Sequence, residues 1–128
     1  MAAFETMGLP AEPTTMAPDG SDVRGLLQVE SGGMAHFELA PGATSLAIRH
    51  RTVEEIWFVV GGRGEMWRSQ GERTAVVELA PGTCLTIPLG TAFQFRTTGP
   101  EALSAIGATM PPWPGDDEAI PVEGCPDW

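Results

Sequence analysis

Residues 41–62 read PGATSLAIRHRTVEEIWFVVGG, and their pattern indicates the kind of fold to which the whole chain belongs. A Pro-Gly turn opens this stretch and a Gly-Gly pair closes it, with many β-branched and aromatic residues between them. In its second half Glu55, Trp57 and Val59 alternate with apolar neighbours at 56, 58 and 60, which is the period of a β-strand. Because both faces of this strand are largely apolar, we expect a second sheet or a second subunit to cover it on the outside.

The same punctuation by Gly and Pro continues on both sides of this stretch. Candidate strands are residues 26–30, 34–39, 45–50, 55–60, 65–68, 74–79, 84–87, 93–97 and 103–109. Within 45–50, the alternation places Leu46, Ile48 and His50 on one face. Turns that recur about every eight to twelve residues are typical of a sandwich or barrel, and no segment of helical length has a clean 3.6-residue period. We therefore predict an all-β domain over residues 25–110.

The flanking segments differ from the domain in composition. Residues 1–24 are rich in Pro, Thr, Ala and Met and are expected to form an extended N-terminal arm. Residues 111–128 are expected to form an extended, Pro-rich, acidic tail, anchored by the packing of Trp113. The acidic residues of this tail predict either a solvated segment or a docking segment.

Charge and cysteine content exclude several classes of partner. The formal net charge is −10 and all seven positively charged residues are Arg, so nucleic acid and anionic membrane surfaces are not expected partners. No signal peptide or membrane-spanning stretch is recognisable. Cys84, in an apolar run, is expected in the core, and Cys125 lies in the tail. Two cysteines are too few for a disulfide framework, which favours a reduced, cytoplasmic protein.

Two stretches resemble the motifs of the cupin family. The first motif has Gly, His, His, Glu and Gly at fixed spacings, and the second has Gly, Pro, Gly and His. The corresponding residues here are Gly42, Ile48, His50, Glu55 and Gly62 in the first motif, and Gly82, Pro88, Gly90 and Phe93 in the second. The resemblance implies a cupin double-stranded β-helix, or jelly-roll barrel, with the arm and tail outside it.

The resemblance also implies where a metal would bind in such a barrel. Cupins that hold a metal usually do so with three His and one Glu, but Ile48 and Phe93 occupy two of those four positions here. We therefore expect no tightly held cofactor. If a divalent metal is present, His50 and Glu55 are its expected ligands. His36 is expected outside the barrel, because its apolar neighbours form the inward set.

His50 and Glu55 have three possible interpretations at this stage. They form a hydrogen-bonded structural pair, a general acid–base pair facing a ligand, or part of a metal site completed by other donors. The aromatic and aliphatic residues around them either line a cavity for a small organic molecule or simply fill the barrel. The pocket residues predicted are Ile48, Trp57, Phe93 and Phe95.

Three functions follow from these interpretations. The first is a small-molecule-binding cupin without a tightly held metal, in which His50 and Glu55 perform acid–base catalysis of the isomerase or cyclase type. The second is a metal-dependent cupin enzyme such as a dioxygenase. The third is a non-catalytic oligomeric or sensing module. In each case we expect a homodimer, because the outer side of residues 55–60 is apolar.

Overall fold

Two antiparallel sheets enclose an apolar core within residues 2–128, the part of the chain that the computed structural model describes. The six-stranded sheet has the order β1-β2-β3-β10-β5-β8, and the five-stranded sheet has the order β11-β4-β9-β6-β7. The strands are β1 (Thr15–Met16), β2 (Asp22–Val29), β3 (Gly32–Leu39), β4 (Ile48–His50), β5 (Glu54–Gly61), β6 (Gly64–Gln70), β7 (Arg73–Leu79), β8 (Cys84–Ile87), β9 (Ala92–Thr97), β10 (Leu103–Met110) and β11 (Ala119–Pro121). The all-β prediction is confirmed. Across residues 2–128, no helix combines the length and the apolar character of a membrane span.

Each of the nine predicted strands corresponds to one of these elements, and two short strands were not predicted. β1 and the beginning of β2 lie within the predicted arm, and β11 lies within the predicted tail. β11 pairs with β4, although its last residue is Pro121. A proline is tolerated there because β11 is an edge strand. Strand pairing thus extends beyond both predicted domain boundaries, at residues 24 and 110. The boundaries themselves remain predictions.

The alternation predicted for residues 45–50 is wrong in its first half. Only Ile48–His50 is a strand, and Leu46 is 60% exposed, whereas Ser45 and Ala47 are buried. The reason is that Ser45 pairs locally with β9. Its amide donates to the Phe95 carbonyl over 2.8 Å, and its hydroxyl accepts from the Phe95 amide over 3.0 Å. These two hydrogen bonds interrupt the regular ladder, so the alternation of inward and outward side chains is broken between residues 47 and 48.

The barrel has a packed end, where the inward side chains fill the space between the sheets. Leu103 of β10 lies opposite Leu39 of β3, and the Thr97 hydroxyl donates to the Leu39 carbonyl across the two sheets over 2.9 Å. The buried apolar side chains at and next to this end are Leu39, Val59, Met66, Leu79, Phe95 and Leu103. Their close packing provides a large part of the hydrophobic stabilisation of the barrel.

Gly107 of β10 makes room for two aromatic rings from the neighbouring strands. A Cβ atom at this position would lie 2.7 Å from Cε2 of Phe37 and 3.1 Å from Cδ1 of Trp57. Because Gly107 has no side chain, the rings of Phe37 (β3) and Trp57 (β5) meet across β10, with centroids 4.7 Å apart and planes 11° from parallel. These stacked rings form part of the barrel floor beneath the site described below.

The two faces of β5 differ in burial. Glu55, Trp57 and Val59 point inward and are buried, as the sequence predicts, while Ile56, Phe58 and Val60 are 44%, 49% and 43% exposed. The second sheet of this chain therefore does not cover the outer face of β5.

Cys84 also lies on this outer face, opposite Phe58, in the edge strand β8, and it is exposed. The prediction that Cys84 belongs to the core was wrong. An apolar run alone does not distinguish the inward from the outward face of an edge strand.

Candidate functional site

At the end of the barrel where β5 begins, the two sheets leave a cavity of about 300 Å³. Residues of β2, β3, β4, β5, β9 and β10 form its floor and walls. Residues 14–19 of the N-terminal segment and two residues of the C-terminal segment, Trp113 and Asp116, also line it. We call these two chain segments the roof of the cavity. The cavity is thus enclosed by parts of the chain that are far apart in the sequence.

His50 and Glu55 meet on the wall of this cavity. β4 ends at His50 and β5 begins at Glu54, so the short turn between them places both side chains inward, 4% and 3% exposed. His50 Nδ1 and Glu55 Oε2 are 3.2 Å apart. This is an ion-pair distance, and no hydrogen bond of good geometry to Nδ1 is found among residues 2–128. Glu55 Oε1 instead accepts from the indole Nε1–H of Trp57 over 3.2 Å.

Burial shifts the pKa values of these two groups in opposite directions. It raises the pKa of Glu55 to about 8, against a smaller lowering by the Trp57 hydrogen bond and with a further increase from the charge of Asp19. It lowers the pKa of His50 to about 4, which the nearby charge of Glu118 only partly opposes. At neutral pH, Glu55 therefore carries a proton and His50 is a neutral imidazole. The pair then presents one acidic O–H and one basic ring nitrogen.

Three of the four predicted pocket residues line the cavity. Ile48, Trp57 and Phe93 lie on its walls, and the Phe93 ring meets His50 edge-on with centroids 5.3 Å apart. Phe95 is not among the lining residues, since it lies two positions further along β9 and packs edge-on against Trp57 at 5.1 Å within the core. Phe37, which was not predicted, lines the cavity through its stack with Trp57.

Asp19 brings a second buried carboxyl group to the cavity from the N-terminal segment. It is 4% exposed, and both hydrogen bonds that its side chain accepts within residues 2–128 end on Oδ1, from the Ser21 amide at 2.9 Å and the Ser21 hydroxyl at 2.6 Å. Burial raises its pKa, against the lowering effect of these hydrogen bonds. Asp19 was not predicted as a site residue, although Pro18-Asp19-Gly20 is a turn pattern that could have marked it. The Asp19 carbonyl accepts from the Leu46 amide over 2.8 Å, which ties the turn to the barrel.

Glu118 holds the C-terminal segment against the turn between β4 and β5. Its carboxylate accepts from the Thr52 amide at 2.7 Å, from the Thr52 hydroxyl, and from the Val53 amide at 3.2 Å. Burial raises the pKa of Glu118, but these hydrogen bonds outweigh the effect and the net shift is downward. At least this part of the acidic tail is therefore docked on the barrel of its own chain.

Trp113 is placed over His50 by this docking. Its ring meets the imidazole edge-on, with centroids 5.2 Å apart and planes 79° from parallel. Trp113, which was predicted to anchor the tail by packing, therefore lies in the roof of the cavity. No feature of the sequence indicated that its neighbour would be His50.

The sequence profile described as Cupin domain, Cupin_2, matches residues 35–108, which is more than half of the chain. The chain belongs to the cupin family. Among curated proteins, none is significantly similar in sequence to this cupin.

Solved structures share the fold at low sequence identity. CapF, a capsular polysaccharide assembling protein of Staphylococcus aureus, superposes with a TM-score of 0.70 and 18% identity over 84% of this cupin, which spans about a third (33%) of the CapF chain. A Klebsiella pneumoniae subsp. pneumoniae protein with a double-stranded β-helix domain gives a TM-score of 0.65, with 17% identity over 80% of this chain and 84% of that one. KdgF of Halomonas sp. gives 0.64, with 20% identity over 78% and 87%. At these identities the likeness concerns the fold alone.

The residues at the cupin metal positions do not fit the family's set of three His and one Glu. The fold brings the four positions together, since Ile48 pairs with Phe93 and His50 touches Glu55. Ile48 and Phe93 have no donor atom, however, and a divalent transition ion needs several N or O ligands. Within residues 2–128, no three His, Cys, Asp or Glu side chains cluster in a way that could hold a metal.

His36, the other histidine of the chain, does not contribute a donor to this cavity. It lies opposite Arg24 and Ile106, on the face of β3 away from Ala35 and Phe37, and is 7% exposed. Burial and the charge of Arg24 lower its pKa, against a smaller increase from Glu38.

Proposed function

We propose that this cupin binds a small organic molecule in the cavity and that His50 and Glu55 transfer protons on it. The observation that carries the proposal is the free Nδ1 of a buried, neutral imidazole beside a buried carboxyl group on the cavity wall. Buried polar atoms are normally paired, and unpaired ones at a cavity are typical of functional sites. A cytoplasmic location is part of the same proposal, in keeping with the free thiols of Cys84 and Cys125.

The walls of the cavity support the binding part of the proposal. Ligand sites are mostly apolar and aromatic, with a few polar groups that orient the ligand. Here Phe37, Trp57 and Phe93 supply the apolar surface, and His50 and Glu55 supply polar atoms. A volume of about 300 Å³ is at the lower end of typical small-molecule sites.

The protonation states support the catalytic part. His50 Nδ1 accepts a proton from a carbon or hydroxyl of the bound molecule, and the Glu55 carboxyl group donates its proton to another atom of the same molecule. The enzyme is then left as an imidazolium–carboxylate pair, and proton return from His50 to Glu55, directly or through solvent, restores the starting state. One proton leaves the bound molecule, one is returned to it and no electrons are transferred, a balance that suits isomerisation, epimerisation or cyclisation.

Four tryptophans allow a binding test with internal controls. Trp57 and Trp113 line the cavity, whereas Trp67 and Trp128 do not. In protein labelled with 5-fluorotryptophan, cyclohexanone or phenol should shift the ¹⁹F NMR resonances of the first two and leave those of the other two in place. Uniform shifts of all four resonances, or none at all, would contradict binding in the cavity.

Proton transfer is tested on a probe whose hydrogens are weakly acidic. Wild-type protein in D₂O at neutral pH should accelerate deuterium incorporation at the α-carbons of cyclohexanone, measured by NMR. His50→Gln should remove the acceleration because it removes the basic nitrogen. His36→Gln, on the outer face of β3, is the matched control and should retain it. If His50→Gln exchanges the probe as fast as wild type, proton transfer by His50 is excluded, while binding stands on the fluorine experiment.

We also infer that the protein is a homodimer that pairs through the outer β5 patch. This patch is uncharged and spans three adjacent strands; its residues are Ile56, Phe58, Val60, Cys84, Thr86 and Ile106. In a two-fold interface the same patch meets itself, so it must not repel its copy. For a chain with a net charge of −10, an uncharged apolar patch is the surface best suited to that contact.

A further inference from the structure

We propose that the ligand of this cavity is an organic cation, an amine or quaternary ammonium compound with a small apolar body. The inference rests on the proposed function, because it names the chemical class of the molecule that the cavity binds. Three observations support it: the charge of the cavity lining, its aromatic composition, and the unpartnered polar atom on its wall.

The lining carries carboxyl groups, and its one basic side chain is the His50 imidazole, which is neutral at pH 7. Asp19, Glu55 and Asp116 border the cavity, and none of the lining residues within the described part of the chain is Lys or Arg. An anionic ligand would be repelled by an ionised carboxyl group in this lining. A fully apolar ligand would offer no donor to Asp19 Oδ2 or Glu55 Oε2, since the hydrogen bonds that these side chains accept within residues 2–128 end on the other oxygen.

Elsewhere in the molecule, acidic residues do have arginine partners. Ion pairs join Glu38 to Arg24 at 3.5 Å, Glu65 to Arg96 at 2.9 Å and Asp117 to Arg51 at 3.7 Å. Of the two most buried carboxyl groups at the cavity, Asp19 has no basic partner within residues 2–128 and Glu55 has only the neutral His50 imidazole, although the cost of burying an unpaired charge is greatest there. A cationic ligand would supply the missing positive charge.

Asp19 and Glu55 are close enough to affect each other electrostatically. The negative charge of Asp19 disfavours ionisation of Glu55, and both carboxyl groups face the same cavity. A positive charge in the cavity would be attracted by whichever carboxyl group is ionised and would offset this repulsion. The pair therefore favours a cation over a neutral molecule of the same shape.

Aromatic rings surround the same space. Phe37, Trp57, Phe93 and Trp113 line the cavity. Ring faces attract ammonium groups within about 6 Å, most strongly those of Trp, and quaternary ammonium ions are commonly bound by several aromatic rings together. Aromatic walls combined with carboxyl groups therefore suit a cation that carries methyl or methylene groups better than a hydrated metal ion.

The buried Nδ1 of His50 is the third observation. It belongs to a side chain that is 4% exposed, it has no hydrogen-bond partner within residues 2–128, and its ring lines the cavity. With the imidazole proton on Nε2, Nδ1 is the hydrogen-bond acceptor of the neutral ring, so a ligand hydroxyl or N–H next to the cationic group would satisfy it. The expected ligand is therefore a cation with a neighbouring hydrogen-bond donor.

Two soluble probes of nearly the same shape test this inference. Choline carries a trimethylammonium group and a hydroxyl, and 3,3-dimethylbutan-1-ol replaces its charged nitrogen by carbon. Both are titrated at about pH 8.5, where Glu55 is more than half ionised, and followed through the ¹⁹F resonances of Trp57 and Trp113. Choline should bind about tenfold more tightly, which combines a cation–aromatic attraction with the attraction of the carboxylates.

Three variants assign that preference to the cavity. Asp19→Asn and Glu55→Gln keep the shape of each side chain and should each reduce the preference for choline several-fold. Asp127→Asn is the control, since it removes one negative charge at an exposed position that does not line the cavity and should leave the preference unchanged. Unchanged positions of the Trp67 and Trp128 resonances verify that each variant is folded.

The possible results separate this inference from the proposed function. Equal binding of the two probes, or tighter binding of the alcohol, overturns the assignment of a cation and leaves small-molecule binding intact. Failure of both probes, with cyclohexanone or phenol still shifting the Trp57 and Trp113 resonances, also overturns the cation alone. A preference for choline that Asp127→Asn reduces as much as Asp19→Asn does would reflect overall charge and would overturn the site.

Discussion

The packed end and the cavity end of the barrel are formed by the same strands, but burial has opposite consequences for the side chains at each end. On β5, Val59 at the packed end and Glu55 at the cavity end are 0% and 3% exposed, and on β9 the neighbouring inward residues Phe95 and Phe93 are each 1% exposed. At the packed end, burial removes apolar groups from water and stabilises the fold. At the cavity end, the same degree of burial makes a carboxyl group and an imidazole unfavourable to ionise.

This difference is in keeping with the proposed function, in which the packed end provides stability and the cavity end provides chemistry. A polar pair that is poorly satisfied reduces stability, and it persists in proteins where it has a function. The packed end supplies the free energy that keeps such a pair buried. Substitutions at the two ends should therefore differ in the size, the pH dependence and even the sign of their effects.

The largest effect is expected for Phe95→Ala. This substitution leaves a void among close-packed side chains and should lower the free energy of unfolding by about 3–5 kcal/mol, measured by urea denaturation. Phe93→Ala is the matched comparison on the same strand. Because Phe93 already borders a cavity, its loss should cost at least about 1 kcal/mol less. Equal costs would show that the two ends are packed alike.

Glu118→Ala should have the next largest effect, of about 3 kcal/mol, because it removes a charged acceptor from three donors of the turn between β4 and β5. Hydrogen exchange should become faster at the Thr52 and Val53 amides, and the Trp113 resonance should move. Glu123→Ala, an exposed position of the same tail, is the control and should change neither. Protected amides in Glu118→Ala would rule out docking by this residue.

Glu55→Gln should alter the pH dependence of stability. The pKa of Glu55 is raised from 4.5 to about 8 on folding, so its contribution is complete below pH 4.5 and is lost as the pH rises through 8. The pKa of His50 is lowered from 6.5 to about 4, so its contribution is lost as the pH falls from 6.5 through 4. The two effects cancel between pH 4.5 and 6.5, and above pH 6.5 the loss due to Glu55 remains.

Between pH 6.5 and 8, the free energy of unfolding of the wild type should therefore fall by about 2 kcal/mol more than that of Glu55→Gln. The measurement is urea denaturation of both proteins at several pH values. Any difference in the free energy of unfolding between the wild type and Glu55→Gln at pH 6.5 should therefore be smaller, or of opposite sign, at pH 8. Parallel curves for the two proteins would contradict a protonated Glu55 in the folded state.

The smallest effect on the folded subunit is expected for Phe58→Ser, in the outer β5 patch. Phe58 is 49% exposed, so the substitution should lower subunit stability by only about 1 kcal/mol. Light scattering should nevertheless show a shift from dimer to monomer, because the patch loses its central aromatic ring. A monomeric wild-type protein at high concentration would contradict the proposed dimer.

The sequence predicted the barrel well because its signals are local. Alternation along β5, the Pro-Gly turns and the spacings around His50 and Glu55 each depend on a few neighbouring residues, and all of them agree on one fold. The inward direction of Glu55 and Trp57 followed from the same alternation. Residues 45–47 deviated because Ser45 forms hydrogen bonds with the backbone of β9, a contact that periodicity does not encode.

The roof of the cavity was not predicted because its contacts join residues that are far apart in the sequence. Asp19 and Trp113 reach the cavity from opposite ends of the chain, and Glu118 binds a turn that lies 65 and 66 residues earlier. A charged, Pro-rich segment has the composition of a solvated tail, and only the position of its acceptors reveals that it is docked. Phe95 was predicted to line the cavity because alternation gives the face of a strand but not the depth along it.

The roof also bears on how long a bound molecule stays. β1 and β11, which secure its two segments, contain two and three residues, whereas β5 and β10 beneath contain eight each. Because β1 and β11 form few backbone hydrogen bonds, they can open while the barrel stays folded. Local opening of this kind requires much less free energy than global unfolding. If the cavity binds a molecule as proposed, opening of these short strands would limit its dissociation, and Glu118→Ala would make dissociation faster.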